Sequence, residues 1–502
     1  MSTAVNAAPM ARFATLDTED PPAHARDDEL ARLVGRNDQL EAENAGLRAQ
    51  NERQRDRIAA LERKVEELRR KSKRQAAPFS REKRKRDPGR PGRRPGTDYG
   101  KKAHRPAPEK VDEVIGVPLP DRCECGGEIE LDRIAHQYQE ELPELRPIRR
   151  RFDVGIGHCP SCGRRHQGRH PLQTSNALGA AASMLGPGAV ALATRLGKEL
   201  GLSPAKVSQL LGEQFGISIT PGGVVGAVAR QARALEPTYR ALIEGVRASS
   251  VVAPDETGWR VDASKAWLWA FVGDGVTVYR IAAGRGYEQA IEILGEEFRG
   301  VLERDGWAPY RRFTLASHQS CLAHLLRRCA EMIADSVAGQ ARIPHELRRI
   351  LEDALALREL RDQSPIGSFK LGLRVRELED RVEELLGRNP KHRPNQRLLR
   401  HLKAERDALL TFLTRPGVEA TNWRAEQAIR PAVVNRKSWG GNRSWRGAET
   451  QQVAMSVIRT ARQQRVDPIE LMAAAQREPE AKVTAMLSIP ARASPAELAA
   501  AA

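Results

Sequence analysis

The sequence lacks the features that place a chain in a membrane or in a disulfide-rich secreted protein. No apolar run in its 502 residues approaches the roughly 20 residues of a membrane span. No basic segment followed by an apolar one marks a secretory signal near the N-terminus. Six cysteines are too few for a disulfide scaffold. We therefore expect a cytoplasmic protein.

A further absence concerns covalent catalysis. No serine or tyrosine nucleophile stands in a recognisable constellation, which argues against a serine or tyrosine recombinase. Positive charge, by contrast, is abundant: 82 Lys and Arg face 65 Asp and Glu, for a net charge of +17. Such an excess indicates a polyanionic partner, and nucleic acid is the leading candidate. We accordingly expect the protein to work at DNA, in association with the nucleoid.

The first regular pattern is a heptad repeat that follows a non-periodic N-terminus at 1–26, which we expect to be disordered. Asparagines occupy several a positions, which favours a parallel dimer in register. We predict a leucine-zipper coiled coil over 27–71; the alternative is one amphipathic helix packed on the body. The d positions are Leu33, Leu40, Leu47, Gln54, Leu61 and Leu68.

Residues 72–105 are predicted to form a flexible basic arm. Sixteen Lys and Arg face three acids within 69–105, and Pro-Gly pairs interrupt the run. A segment of this composition cannot build a packed core. Its arginines could contact phosphates or enter a minor groove, and the alternative is a solvated linker. The candidate DNA-binding residues here are Arg90, Arg93 and Arg94.

Two close cysteine pairs predict a zinc-binding module at 106–170. Strand-like stretches at 127–131 and 152–156 lie between the pairs. Cysteine turns joined by strands are typical of a zinc ribbon, a structural site with no open position for catalysis. His158 or His166 could replace one thiolate, and free thiols in a small β-rich module are the alternative. The predicted ligands are Cys123 and Cys125 in one pair, and Cys159 and Cys162 in the other.

The region 171–246 is rich in Ala, Gly and Leu and is predicted to be helical. Ser203 and Pro204 are a capping residue and a first-turn proline, which predict a helix up to Phe215. Gly216 then provides a turn before a second helix at 221–235. Two helices joined in this way could be a DNA-binding helix-turn-helix, although ordinary helical packing gives the same pattern.

The stretch 247–465 alternates strand and helix signals and is the candidate catalytic domain. Asp255 follows the first predicted strand, and Asp305 comes shortly after the fourth. Clustered carboxylates repel one another unless a cation lies between them, so this arrangement implies a metal. The order predicts a ribonuclease H-like core. Its predicted elements are strands at 251–254, 266–272 and 276–281, a helix at 287–298 and a strand at 300–302.

A third carboxylate, Glu426, lies on a basic helix beyond a predicted helical insertion at about 340–415. Cations interleaved with aromatic rings suit a track for a DNA backbone. A C-terminal element and tail occupy 466–502. The candidate DNA-binding residues around Glu426 are Trp423, Arg424, Arg430, Arg436 and Lys437.

Asp255, Asp305 and Glu426 together predict a site for two Mg²⁺ (or Mn²⁺) ions, which bind carboxylate oxygens. Each residue taken singly is more often a cap, a turn or an ion-pair residue, so the prediction depends on the order strand-Asp, strand-Asp, helix-Glu. Glu256 directly follows Asp255 on a strand and is expected to face the opposite way. The local competitors are Glu256, Asp262, Asp274 and Glu303.

At these residues the chain resembles bacterial transposases of the insertion sequence 66 family. The resemblance covers most of the chain, from the zipper to the helix after the last motif. The matching motifs are Asp255-Glu256-Thr257, Asp305-Gly306-Trp307 with Tyr310, Cys321 with Ala323-His324, and a last block with Asn422, Glu426, Ile429-Arg430-Pro431 and Arg436-Lys437.

The resemblance implies a multidomain α/β Asp-Asp-Glu transposase that binds terminal inverted repeats, cuts element ends and joins the freed 3′ hydroxyl to target DNA. Asp255, Asp305 and Glu426 would be its metal ligands, while Cys321 and His324 would support the core nearby. Its partners would be DNA, a second copy of the chain and accessory proteins of the same element. Two alternatives remain: a catalytically inactive DNA-binding regulator, and a nuclease on the same core.

Overall fold

The computed structural model describes residues 23–73, 105–337, 339–363 and 367–491 of a mixed α/β protein. The chain divides into two units, 1–88 and 89–502. The described strands are β1 (Ile156–His158), β2 (Arg165–Gln167), β3 (Val251–Val261), β4 (Ser264–Val272), β5 (Thr277–Ala282), β6 (Val301–Arg304) and β7 (Ser317–Ser320). The described helices are α1 (Ala23–Lys73), α2 (Pro187–Lys198), α3 (Pro204–Phe215), α4 (Pro221–Ala248), α5 (Tyr287–Leu294), α6 (Leu322–Ala334), α7 (Arg342–Gln363), α8 (Ser368–Leu386), α9 (Arg393–Glu405), α10 (Thr411–Thr414), α11 (Trp423–Trp439), α12 (Trp445–Gln463), α13 (Pro468–Ala474) and α14 (Glu480–Thr484).

The first unit contains α1, one helix of 51 residues. Four heptad leucines on it are each about half exposed: Leu33, Leu40, Leu47 and Leu61. A narrow apolar seam that stays open along a long helix is the surface that a coiled coil buries. The basic arm, with Arg90, Arg93 and Arg94, lies outside the described residues.

The cysteine-containing segment has little regular structure. Its two short strands, β1 and β2, pair antiparallel from Ile156 with Gln167 to His158 with Arg165. The strands expected at 127–131 and 152–156 were therefore wrong, except for Ile156 itself. The side chains along the first of these stretches are exposed, and no described strand pairs with it.

The helical region contains the two predicted helices, as α3 and α4. The Ser203 hydroxyl accepts a hydrogen bond from the Lys206 amide at 3.3 Å, and Gly216 ends α3 with φ of 59°, as its sequence predicted. The second helix was predicted too short, since α4 continues through Pro237 to Ala248. The helix continues because Leu242 and Val246 extend its buried face into the core.

A five-stranded mixed sheet forms the centre of the second unit, in the order β5-β4-β3-β6-β7. The strand β4 is antiparallel to both β3 and β5, whereas β6 is parallel to both β3 and β7. The predicted first strand was too short, because β3 continues past Asp255 to Val261 and pairs with β4 throughout. The strand β7 and the helix α6 were not predicted.

Helices cover both faces of this sheet. One cluster packs α4, α5, α12 and α13 against side chains such as Trp269 and Phe271. The opposite cluster packs α11, through Ala425 and Ala428, against residues of β3 and β4 such as Leu268. Two sandwiched faces of this kind remove most of the sheet from water and fix the position of α11 relative to β3.

The helix α12 closes the outer edge of β5 with side chains. Gln452, Ser456 and Thr460 lie one turn apart, and they accept hydrogen bonds from the amides of Ile281, Tyr279 and Thr277 at 2.8–3.0 Å. A four-residue step on a helix rises about 6 Å, close to a two-residue step on a strand. The helix therefore satisfies the edge amides that a missing strand would otherwise bond.

The predicted helical insertion is present as α7, α8 and α9. Its leucine-rich core continues to the main sheet through Val251 and Val301, and to α6 through Leu322. At the end of the insertion α9 stops at Glu405, and a short 3₁₀ turn leads to α10. Within the described residues, no helix is long and apolar enough to cross a membrane.

Candidate active site

Three carboxylates reach the same end of the sheet from three different elements. Asp255 lies on β3, just beyond the point at which β3 stops pairing with β6, at Val252 and Leu302. Asp305 is the first residue after β6, and Glu426 lies in the first turn of α11. The sheet thus presents the first two carboxylates where its parallel strands end, and α11 brings the third.

The electrostatics show that these groups are neighbours. The pKa of Asp255 is raised to about 7, chiefly by burial, then by the charge of Glu256, with further contributions from Asp305 and Glu426. The Nε2 atom of His324 lies 3.8 Å from Oε1 of Glu426. Across the described ranges, no three His, Cys, Asp or Glu side chains stand in a ready metal-ligating arrangement.

Asn422 and Cys321 fasten α11 to the strands that carry the aspartates. The Asn422 side-chain amide donates to the carbonyl of Pro254 at 2.8 Å, and its backbone amide donates to Cys321 Sγ at 3.4 Å. The backbone amide of Cys321 in turn donates to the carbonyl of Arg304 at 2.8 Å. These bonds lie close to the candidate ligands: Pro254 and Arg304 each precede an aspartate, and Asn422 is four residues before Glu426.

The Cys321 thiol is buried and interacts with His324. Burial raises its pKa, but hydrogen bonds with His324 and with the Asn422 amide outweigh this effect and lower the pKa overall. The same interaction is the main cause of the raised pKa of His324. Because Cys321 is 2% exposed, its thiol has no open face towards a substrate.

Glu256, the residue after Asp255, is held in a buried network. Its carboxylate lies 2.5 Å from the Arg285 guanidinium and accepts the Tyr310 hydroxyl at 2.9 Å. Arg285 stacks on Trp307, with its Cζ 3.9 Å from the ring centroid. Since Trp307 and Tyr310 belong to the turn that begins at Asp305, this network joins the two aspartate motifs. The sequence predicted that Glu256 faces away, but not these partners.

Glu303, a second competitor for the metal role, anchors the start of α11. Its carboxylate, 1% exposed, accepts the Glu419 backbone amide at 2.6 Å and pairs with Arg424 at 3.2 Å. Arg424 was predicted to bind DNA, yet its guanidinium is committed to this buried carboxylate. The pairing is expected because a buried carboxylate left without a partner would destabilise the folded protein.

Arg436 is a second residue that was predicted to contact DNA but forms hydrogen bonds within the fold. It lies partly buried and donates to the carbonyl of Gly258 and to the Thr257 hydroxyl on β3. Burial lowers its pKa. Both Arg424 and Arg436 therefore position α11 against the sheet, because each bonds an internal acceptor through one guanidinium nitrogen.

A basic and aromatic surface remains exposed around Glu426. On α11 it comprises Trp423, Arg430 and Lys437, and at the start of α12 it continues with Trp445 and Arg446. Trp439, by contrast, packs edge-on against Trp259 with ring centroids 5.7 Å apart. The exposed residues keep the properties that the sequence predicted for a DNA-binding surface.

The two cysteine pairs form separate turns. Gly126 and Gly163 adopt left-handed conformations, with backbone amides that donate to the carbonyls of Cys123 and Cys159 at 2.8 Å. The pKa of Cys125 is lowered chiefly by a backbone hydrogen bond at Gly127, and that of Cys159 by one at Cys162. The four thiols are not gathered into one group in the described segment.

The comparisons identify the protein class as a transposase. The family model described as Transposase IS66 family matches residues 182–450, from the helical region to the start of α12. The chain therefore belongs to the IS66 transposase family, as its motifs predicted, and this is a family of DDE-type enzymes that act on DNA with divalent metal ions. A search of curated proteins found no match.

Proposed function

We propose that the protein binds the terminal inverted repeats of an insertion sequence and catalyses metal-dependent cleavage and strand transfer. The observation that carries this proposal is the approach of Asp255, Asp305 and Glu426 from β3, the end of β6 and α11. The electrostatic coupling of Asp255 to the other two supports it. The sheet order, with three antiparallel strands followed by two parallel ones, supports a ribonuclease H-like core.

The donor set fits divalent metal ions. Asp255, Asp305 and Glu426 would hold them through carboxylate oxygens, the ligands that Mg²⁺ and Mn²⁺ prefer. The raised pKa of Asp255 reflects burial first and neighbouring negative charge second, and a bound cation would offset both. When bound, two such ions supply activation of the attacking oxygen and stabilisation of the leaving one. Cys321 and Asn422 would hold the elements that carry the three carboxylates in fixed positions relative to one another.

The exposed residues around the site would hold the DNA. Arg430 and Lys437 on α11 can neutralise phosphates, and the half-exposed rings of Trp423 and Trp445 offer stacking surfaces. Arg424 and Arg436 would serve this surface indirectly, by fixing α11. We further propose that the pair α3 and α4 contributes to recognition of the element ends.

The remaining modules would support assembly. The open leucine seam of α1 favours a parallel coiled-coil dimer, which would hold two element ends together. The thiols of Cys123, Cys125, Cys159 and Cys162 are suited to one structural zinc ion, which would draw the two turns together.

A strand-transfer assay tests the proposal. Wild type and Glu426→Ala are incubated with Mg²⁺ and DNA that carries the flanking ends of the element, and nicking and joining are scored separately. We expect joined products only with wild type, with equal DNA binding by both proteins. Nicking without joining would favour the nuclease alternative. Binding without nicking in both proteins would favour the regulator.

A further inference from the structure

The helix α9 of the insertion carries a row of cations on its exposed face. Its buried side consists of Leu398 and Leu402, at 0% exposure, with Asn395 one turn earlier. At 100° per residue, the basic residues lie on the opposite side of the helix. These exposed residues are Arg393, Arg397, Arg400 and Lys403.

These cations differ from several other exposed arginines of the insertion. On α7 and α8, Arg348, Arg374 and Arg381 each form an ion pair with an acidic residue at 2.7–3.0 Å, whereas the exposed Arg349 and Arg376 make none among the described residues. In the described structure, the four cations of α9 make no ion pair. The one acid of α9, Glu405, points inward and is fully buried. A helix with four unpaired positive charges and no exposed negative one has a strong positive field.

The C-terminal end of α9 lies beside the candidate active site. Glu405 pairs with the buried Arg304, the residue before Asp305, at 2.6 Å. A Cβ atom on Gly306 would lie 3.1 Å from His401 Cε1, so α9 packs directly on the turn that follows Asp305. The helix that carries the row of cations therefore packs, through its buried side, next to the turn that contains Asp305.

The N-terminal end of α9 opens onto a basic cavity of about 460 Å³. Its lining includes Arg342, Lys391 and Arg388 and contains no acidic residue, although Arg388 pairs with Glu346 and Glu384 outside the lining. Asn395 Oδ1 and His392 Nδ1, both in the lining, are buried and lack a hydrogen-bond partner. Buried polar atoms rarely stay unpaired. A water that donates to Asn395 and to a phosphate oxygen would satisfy the first of them.

We propose that the exposed face of α9 is a second DNA-binding surface, which follows a phosphate backbone from the active site to this cavity. The inference rests on the proposed function, since it assumes that the chain binds DNA. From Arg393 to Lys403 the row is about 15 Å long at 1.5 Å per residue. This length corresponds to about four to five base pairs of B-form DNA. The insertion thereby holds the DNA that flanks the cleaved bond.

The test measures how DNA affinity depends on salt. One variant carries Arg393→Gln, Arg397→Gln, Arg400→Gln and Lys403→Gln. A matched control removes the same four charges from α8 with Lys370→Gln, Arg374→Gln, Arg376→Gln and Arg381→Gln. Both are full-length, and the denaturation midpoints of both are compared with wild type. Affinity for end-bearing duplex is measured between 50 and 200 mM salt, with strand transfer assayed in parallel.

We expect the α9 variant to lose about 3.6 units of the slope of log K against log salt, at roughly 0.9 for each of four phosphate contacts. The α8 control should lose less than one unit, and Arg397→Gln alone about one. Equal slopes for the α9 variant and wild type, while wild type still joins ends, would overturn this inference and leave the proposed function intact. Absence of DNA binding in wild type would overturn both. A Glu426→Gln variant with the wild-type slope would show that the contact between α9 and DNA does not depend on catalysis.

Discussion

The buried ion pair between Arg304 and Glu405 permits a quantitative prediction. The side chains are 2% and 0% exposed, and their atoms approach to 2.6 Å. Glu405 also accepts the Ser320 hydroxyl at 3.1 Å, so it joins α9 to both β6 and β7. Glu405→Gln keeps the shape of the side chain but leaves the Arg304 charge without its partner inside the protein.

Removal of one partner of a buried pair costs about 3–5 kcal/mol, because the remaining charge is still desolvated. We expect Glu405→Gln to lower the free energy of unfolding by this amount. The double variant Arg304→Met with Glu405→Met should recover most of it, since replacement of both charges by apolar groups of similar size is often close to neutral. The exposed pair of Arg374 and Glu377 supplies the control, where Glu377→Gln should cost less than about 1 kcal/mol.

The assay is urea denaturation followed by tryptophan fluorescence, with strand transfer measured on the same preparations. The reasoning is refuted if Glu405→Gln costs no more than Glu377→Gln, or if the double variant is as unstable as the single one. We also expect joining to fall in Glu405→Gln before DNA affinity does, because the pair holds the residue that precedes Asp305.

Three further predictions follow from contacts near the site and along the zipper. Glu256→Gln weakens the bond to Arg285, and we expect kcat for joining to fall by up to about 10²-fold with unchanged DNA affinity; a matching loss of affinity would contradict a positioning role. Gly441→Ala should destabilise more than Gly440→Ala in thermal denaturation, since both glycines have positive φ but only a Cβ at 441 meets the Arg260 carbonyl; equal costs would count against the clash. Leu40→Asp with Leu47→Asp should convert a dimer to a monomer in sedimentation equilibrium, and a dimer that persists would place the interface elsewhere.

The sequence predicted the elements that depend on local signals. The Ser203 cap, the Gly216 turn and the hairpin between β4 and β5 were found because capping residues and glycines act within a few positions. The order of Asp255, Asp305 and Glu426 along the chain was also sufficient to propose that they meet.

The parts that the sequence did not predict depend on distant partners. The strand β7 reads Ser-His-Gln-Ser and has no apolar alternation. It is a strand because its backbone pairs with β6. In addition, the Gln319 side chain accepts a hydrogen bond from the Phe412 amide of α10. Arg424 and Arg436 were assigned to DNA because a basic helix gives no sign of which guanidinium finds an internal acceptor. Their partners, Glu303 and Gly258, are more than 100 residues away.

The hydrogen bonds between side chains of α12 and the backbone of β5 limit how far the enzyme can be shortened. The family match ends at residue 450, but the hydrogen-bonding side chains follow at Gln452, Ser456 and Thr460. A fragment trimmed at that boundary would leave β5 with open amides and uncover the apolar surface beneath α12. Such an edge recruits strands from other molecules, so the fragment would aggregate although it contains all three carboxylates. The smallest soluble catalytic piece must therefore extend to the end of α12.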